Sequence, residues 1–143
     1  MRLGFAILLL GAATACVGPG EALTHAAATN GCGPADGPTT VIVLASEPVQ
    51  SPTAPPDPFV RLTIEEPVSA LAGRSWNVGP QSNAYAAYFV GRTVAQQASS
   101  GRVSISSVDS SNTVEGTVEL RFPSQTILTH FTAAWSESFI LCG

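Results

Sequence analysis

Apolar and polar side chains alternate with period two along much of this chain, a pattern that predicts strands rather than helices. From Phe59 onward, Val60, Leu62 and Ile64 point one way while Phe59, Arg61, Thr63 and Glu65 point the other, giving a half-buried strand that Pro67 ends. Arg102 to Val108 turns Val103 and Ile105 inward and Ser104 and Ser106 outward. Asp109-Ser110-Ser111-Asn112 then reverses the chain. On the return, Thr113 to Phe122, the residues Val114, Gly116, Val118, Leu120 and Phe122 line one face, and Glu115, Thr117, Glu119 and Arg121 line the other. This is an antiparallel hairpin with one wet side. Pro123-Ser124 turns again, and Thr126 to Trp135 follows with Ile127, Phe131, Ala133 and Trp135 in phase.

Other segments carry weaker versions of the pattern. Thr39 to Ala45, TTVIVLA, is β-branched and apolar at both alternating sets of positions, which predicts a strand covered on both sides. Five prolines follow, Pro48, Pro52, Pro55, Pro56 and Pro58, and such a run makes no ladder hydrogen bonds. It reads as a long loop over residues 46–58 or as a linker. Ser69 to Gly73 suggests one helical turn, with Ser69 as cap and Gly73 as stop. Trp76 and Val78 share a face, and Ala84 to Val90 reads as a strand through Tyr85, Ala87 and Phe89, which leaves Tyr88 out of phase. Thr93 to Ala98 fits a short helix or a strand equally. Short strands with turn signals between them predict an all-β fold, an antiparallel β-sandwich or small barrel.

The beginning of the chain follows a different rule. Met1 and Arg2 form a short positive start, Leu3 to Ala13 is almost wholly apolar, and Ala13-Thr14-Ala15 stands directly before Cys16. At about 11 residues the run is too short to span a bilayer, which takes about 20. It reads as a secretory leader over residues 1–15. A cysteine placed just after small residues resembles the lipobox of bacterial lipoproteins, although Ala13 stands where that motif usually carries leucine. The resemblance implies that Cys16 is lipidated and becomes the first mature residue. The Ala-x-Ala ending also suits an ordinary signal peptidase, which would give a plain secreted protein.

The three cysteines bear on this choice, because an exported chain with an odd number must modify one, leave it free or pair it between chains. Lipidation of Cys16 leaves Cys32 and Cys142, which form a predicted disulfide closing a loop of about 110 residues and contributing up to about 4.7 kcal/mol. Residues 16–31, with Gly18, Pro19, Gly20 and an alanine-rich stretch, read as a tether with at most a short helix or edge strand, and residues 32–143 as a single β-domain. The partner expected from the lipid on Cys16 is a membrane, and the location is the bacterial cell envelope.

Charge removes some function classes. Only 11% of the residues are charged, against roughly a quarter in an average domain. Ten acids face six arginines and no lysine, for a net charge of -4, so no basic face is available for nucleic acid. With no lysine a phosphate-binding P-loop is impossible. His25 and His130, each within Leu-Thr-His, are too few for a zinc site without Cys-x-x-Cys or His-x-x-x-His spacing. Glu65 and Glu66 point to opposite faces, and Glu115 and Glu119 share a face at about 13 Å, too far apart for either glycosidase geometry. Glu119 and Arg121 read as an exposed pair. No serine lies in a Gly-x-Ser-x-Gly elbow. Most aromatics fall in phase with core positions, Tyr88 being the candidate for an exposed contact.

The ending, GRVSISSVD, VEGTVELRFP and HFTAAW with a terminal Cys142-Gly143, resembles that of small exported bacterial lipoproteins with a β-domain and no characterised activity. In such sequences a cysteine often follows the tryptophan, where this chain has Ser136. The resemblance implies fold and location only. The expected function is therefore a lipid-anchored envelope protein with a binding or structural role and no enzymatic mechanism, cofactor or metal. The alternatives are a small exported hydrolase using paired carboxylates and a carrier of an apolar ligand.

Overall fold

The computed structural model describes residues 22–138. Among these residues there are nine strands: β1 (His25–Cys32), β2 (Pro38–Ala45), β3 (Phe59–Ile64), β4 (Ser75–Val78), β5 (Ala84–Val90), β6 (Thr93–Gln97), β7 (Ser100–Val108), β8 (Val114–Arg121) and β9 (Thr126–Trp135). They form one sheet in the order β4-β7-β8-β9-β1-β2-β3-β5-β6. Every neighbouring pair is antiparallel except β1 and β9, which run parallel. The sheet curls into a half-barrel, in keeping with the expected all-β class. Its two flanks approach each other where the Gly79 amide, just after β4, donates to the Ala84 carbonyl of β5 at 3.0 Å and where the Gln96 side-chain amide of β6 donates to Ser124 Oγ between β8 and β9 at 2.6 Å.

The concave side holds the core. Ile42 and Leu44 of β2, Val60, Leu62 and Ile64 of β3, Val103 and Ile105 of β7, and Val118, Leu120 and Phe131 from β8 and β9 are all buried there. These are the inward positions that period-two alternation assigns. Thr39 to Ala45 is buried throughout, as a strand covered on both sides requires. Its outer cover includes the proline-rich segment 46–58. Pro52, Thr53 and Pro55 share a hollow with Thr29, Phe59 and Arg61, which places the segment over Val43, the residue between Ala27 and Arg61 in the strand register.

Several expectations change. The tether expected over 16–31 ends before His25, because residues 25–32 pair along their whole length with β2, and Ala26 to Ala28 also pair with β9. An alanine-rich segment has little intrinsic preference for a strand, and here the two neighbours impose one. Thr93–Gln97 is a strand. The single turn after Pro67 is a 3-10 turn, Val68–Ala70, preceded by Pro67 without a side-chain cap, so Ser69 is not the cap. The turn ends at Ala70 with Leu71 as its C-cap, so Gly73, at φ +73, lies two residues past the cap and is not its stop.

The phase of β5 is the reverse of the expected one. Ala84 and Ala86 face the core, Tyr88 packs against it with its ring 6.1 Å from that of Phe122, and Tyr85 is 37% exposed. Pairing with β3 sets this phase. Ala84 lies opposite Ile64 and Ala86 opposite Leu62, so small residues meet large ones on the concave side, and the bulky Tyr85 and Phe89 turn outward.

Gly116 lies where β8 passes close to both neighbours. A Cβ there would come within 2.5 Å of the Ser104 carbonyl oxygen and 3.1 Å of the Phe131 ring. Gly116→Ala is expected to lower unfolding stability by about 1–3 kcal/mol, the usual cost of overpacking, measured by denaturant melts. A melt unchanged from wild type would show that the contact relaxes freely.

Candidate functional site

The convex side of the sheet carries a groove across β1, β2, β3, β5 and β6. Strand register builds it in rows. Ala45, Phe59 and Phe89 form one row, which Val94 continues beyond the groove on the edge strand, Val43, Arg61, Ala87 and Gln97 the next, and Val41, Thr63 and Tyr85 a third. Phe59 and Phe89 stack with ring centroids 4.7 Å apart and planes 4° from parallel. Small residues, Val43 and Ala87, flank Arg61 on either side and leave room beside it.

The groove has a volume of about 320 Å³, and Thr39, Arg61, Thr63, Tyr85, Phe89 and Gln97 are among its lining residues. The adjoining hollow under the proline-rich segment is about 190 Å³ and is also lined by Arg61. The guanidinium therefore stands between two cavities. Among the described residues no acid lines either one. Among the described residues the ion pairs join Arg74 to Glu66 at 3.3 Å, Arg121 to Glu119 at 2.8 Å and His130 to Glu115 at 3.4 Å, and none involves Arg61. A guanidinium without a carboxylate partner presents its planar donors to whatever enters. The hydroxyls of Thr63 and Tyr85 and the Gln97 amide add neutral hydrogen-bonding groups, and the stacked phenyl rings supply an apolar wall. Such a set suits an anionic group attached to an apolar body.

The residues singled out in the sequence are distributed differently. Cys16 and Cys142 lie outside the described residues, and Cys32 ends β1. Glu66 follows β3 and pairs with Arg74. Glu119 and Arg121 form the expected exposed pair, and His130 is solvent-facing beside Glu115. No group of three His, Cys, Asp or Glu side chains is placed to hold a metal among the described residues. Tyr88, the candidate exposed contact, is packed against the core, and Tyr85 takes the outward place. Arg61 was visible in the alternation as an outward residue. Its lack of an acidic partner depends on strands that are distant in sequence, so no local signal marks it.

Thr39 has a further property. It is 2% exposed, and its hydroxyl has no hydrogen-bond partner among the described residues. A buried unsatisfied hydroxyl costs about 1–3 kcal/mol, so Thr39→Val is expected to raise stability by about 1 kcal/mol in a denaturant melt. Loss of stability on that substitution would mean that the hydroxyl is bonded.

Comparison with family models, curated proteins and solved structures finds no match to this chain.

Proposed function

We propose that this chain is an exported, lipid-anchored envelope protein whose β-domain is a binding module for a small ligand with an anionic group and an apolar body. The observation that carries the binding reading is the unpaired Arg61 between two adjoining hollows on the convex sheet. A carrier of an apolar ligand would need an interior cavity, whereas the concave side is filled by buried aliphatic residues and the hollow at one end of it is only about 10 Å³. The groove therefore favours surface binding.

The export reading draws on the leader pattern and on Cys16, and its disulfide on chain reach. Cys32 does not stand as a free thiol. The Ser138 amide donates to Asn30 Oδ1 at 2.8 Å, two residues from Cys32, and the four residues from there to Cys142 span up to about 14 Å. Cys16 is six residues before Ala22, a reach of about 20 Å, while Ala22 and Cys32 are separated by about 30 Å of extended chain. Cys142 is thus the partner within reach. Lipidation of Cys16 would then account for the third sulfur.

Two measurements test these readings. The first uses 8-anilinonaphthalene-1-sulfonate, an anion on an aromatic body, as a fluorescent probe. Arg61→Gln is expected to weaken its binding about tenfold or more, the loss of one charge-assisted contact. Equal binding by the variant would remove Arg61 from the site. The second grows cells with a radioactive fatty acid and maps the exported protein without reductant. Label is expected on the wild type and not on Cys16→Ser, with the Cys32 and Cys142 peptides recovered as one linked species. An unlabelled but exported wild type would reject the anchor, and two free thiols would reject the bridge.

A further inference from the structure

The convex groove leaves one group of exposed side chains unexplained. Among the described residues, four large hydrophobics are exposed: Tyr85, which lines the groove, and Val90, Val94 and Leu128, at 53%, 44% and 76%. The last three gather at one end of the half-barrel. Val90 and Val94 flank the tip of the β5–β6 hairpin, where Gly91 turns the chain at φ +65 and Arg92 is exposed. Leu128 lies near the start of β9. Gln96 ties the two regions together, since its amide nitrogen donates to Ser124 Oγ at 2.6 Å and its oxygen accepts from the Ser124 amide at 3.4 Å. Leu23, Pro58, Tyr88, Gln125 and Ile127 close the same end from within.

The described chain also begins at this end. The Thr129 hydroxyl donates to the Leu23 carbonyl at 3.2 Å, and Ala22 and Leu128 line one hollow. Ala22 is six residues from Cys16, a reach of about 20 Å. Cys32 lies at the far end of β1. A lipid on Cys16 would accordingly hold the Val90, Val94 and Leu128 end, and not the opposite one, within that distance of a bilayer.

We propose that this end is a membrane-docking surface, with Val90, Val94 and Leu128 entering the boundary between headgroups and acyl chains and Arg92 at headgroup level. The proposal rests on the anchoring reading above. Three side chains alone give weak adsorption, but a short tether makes the contact intramolecular, with an effective concentration that favours it. The acids at this end lie off the hairpin tip: Glu119 is paired with Arg121, and Glu47 and Asp57 sit in the proline-rich segment.

The test uses the full chain purified from membranes after fatty-acid labelling and reconstituted in phosphatidylcholine–phosphatidylglycerol vesicles with brominated acyl chains. Three variants each gain a reporter on the surface: Val94→Trp, Leu128→Trp and, in the β7–β8 turn at the opposite end, Ser111→Trp. Bromine is expected to quench the tryptophan at 94 and at 128 at least about twofold more than the one at 111, because only that end enters the boundary region. Label present with equal quenching at all three positions would overturn the docking surface and leave the anchor intact. Absence of label from Cys16 would overturn both.

Discussion

The place of β1 between β2 and β9 is the constraint on which the rest of the fold depends. Four strands on one side, β9, β8, β7 and β4, and four on the other, β2, β3, β5 and β6, meet only through this strand in the sheet. Its pairing with β2 is antiparallel and in register from His25 to Cys32, and its pairing with β9 is parallel. A slip of one residue in either ladder would turn Ala28 out of the core and reverse every inward position beyond the joint. Small side chains suit the place. A Cβ at Gly31 would meet the Thr39 hydroxyl oxygen at 2.8 Å, so β1 and β2 approach more closely there than larger residues permit.

That joint also shapes the convex groove. The rows that contain Arg61 and the stacked phenyl rings stay aligned because β2, β3 and β5 share one register with β1. Arg61 is central in the sheet, with neighbours too small to crowd its guanidinium and no acid among the described residues that line its two hollows. Binding chemistry therefore follows from the placement of small residues as much as from the charged one. The same register fixes the β5–β6 hairpin at one end, so groove and hairpin tip hold a set orientation relative to each other.

Much of the fold was legible in the sequence, and the illegible parts share a cause. Strands β2, β3, β7, β8 and β9 declare themselves through β-branched residues or strict alternation, because each has a face whose burial the sequence must encode. The strand character of β1 comes from its neighbours, and AAATNG carries no periodicity to reveal it. In β5 the aromatic residues suggested an inward phase, yet partner size decides, with alanines opposite Ile64 and Leu62. For the site, alternation placed Arg61 outward. The two hollows on either side of it are products of long-range pairing and of the proline-rich segment, and neither is encoded within reach of Arg61 itself.

The parallel contact between β1 and β9 has an implication for the order of assembly. Strand β1 acquires its second neighbour only when β9 arrives, so closure of the sheet requires every strand between them. Loop-closure entropy makes a contact of that sequence separation late and slow to form. A chain threaded start-first through a narrow pore would remain unlocked, and so able to keep moving, until β9 had passed.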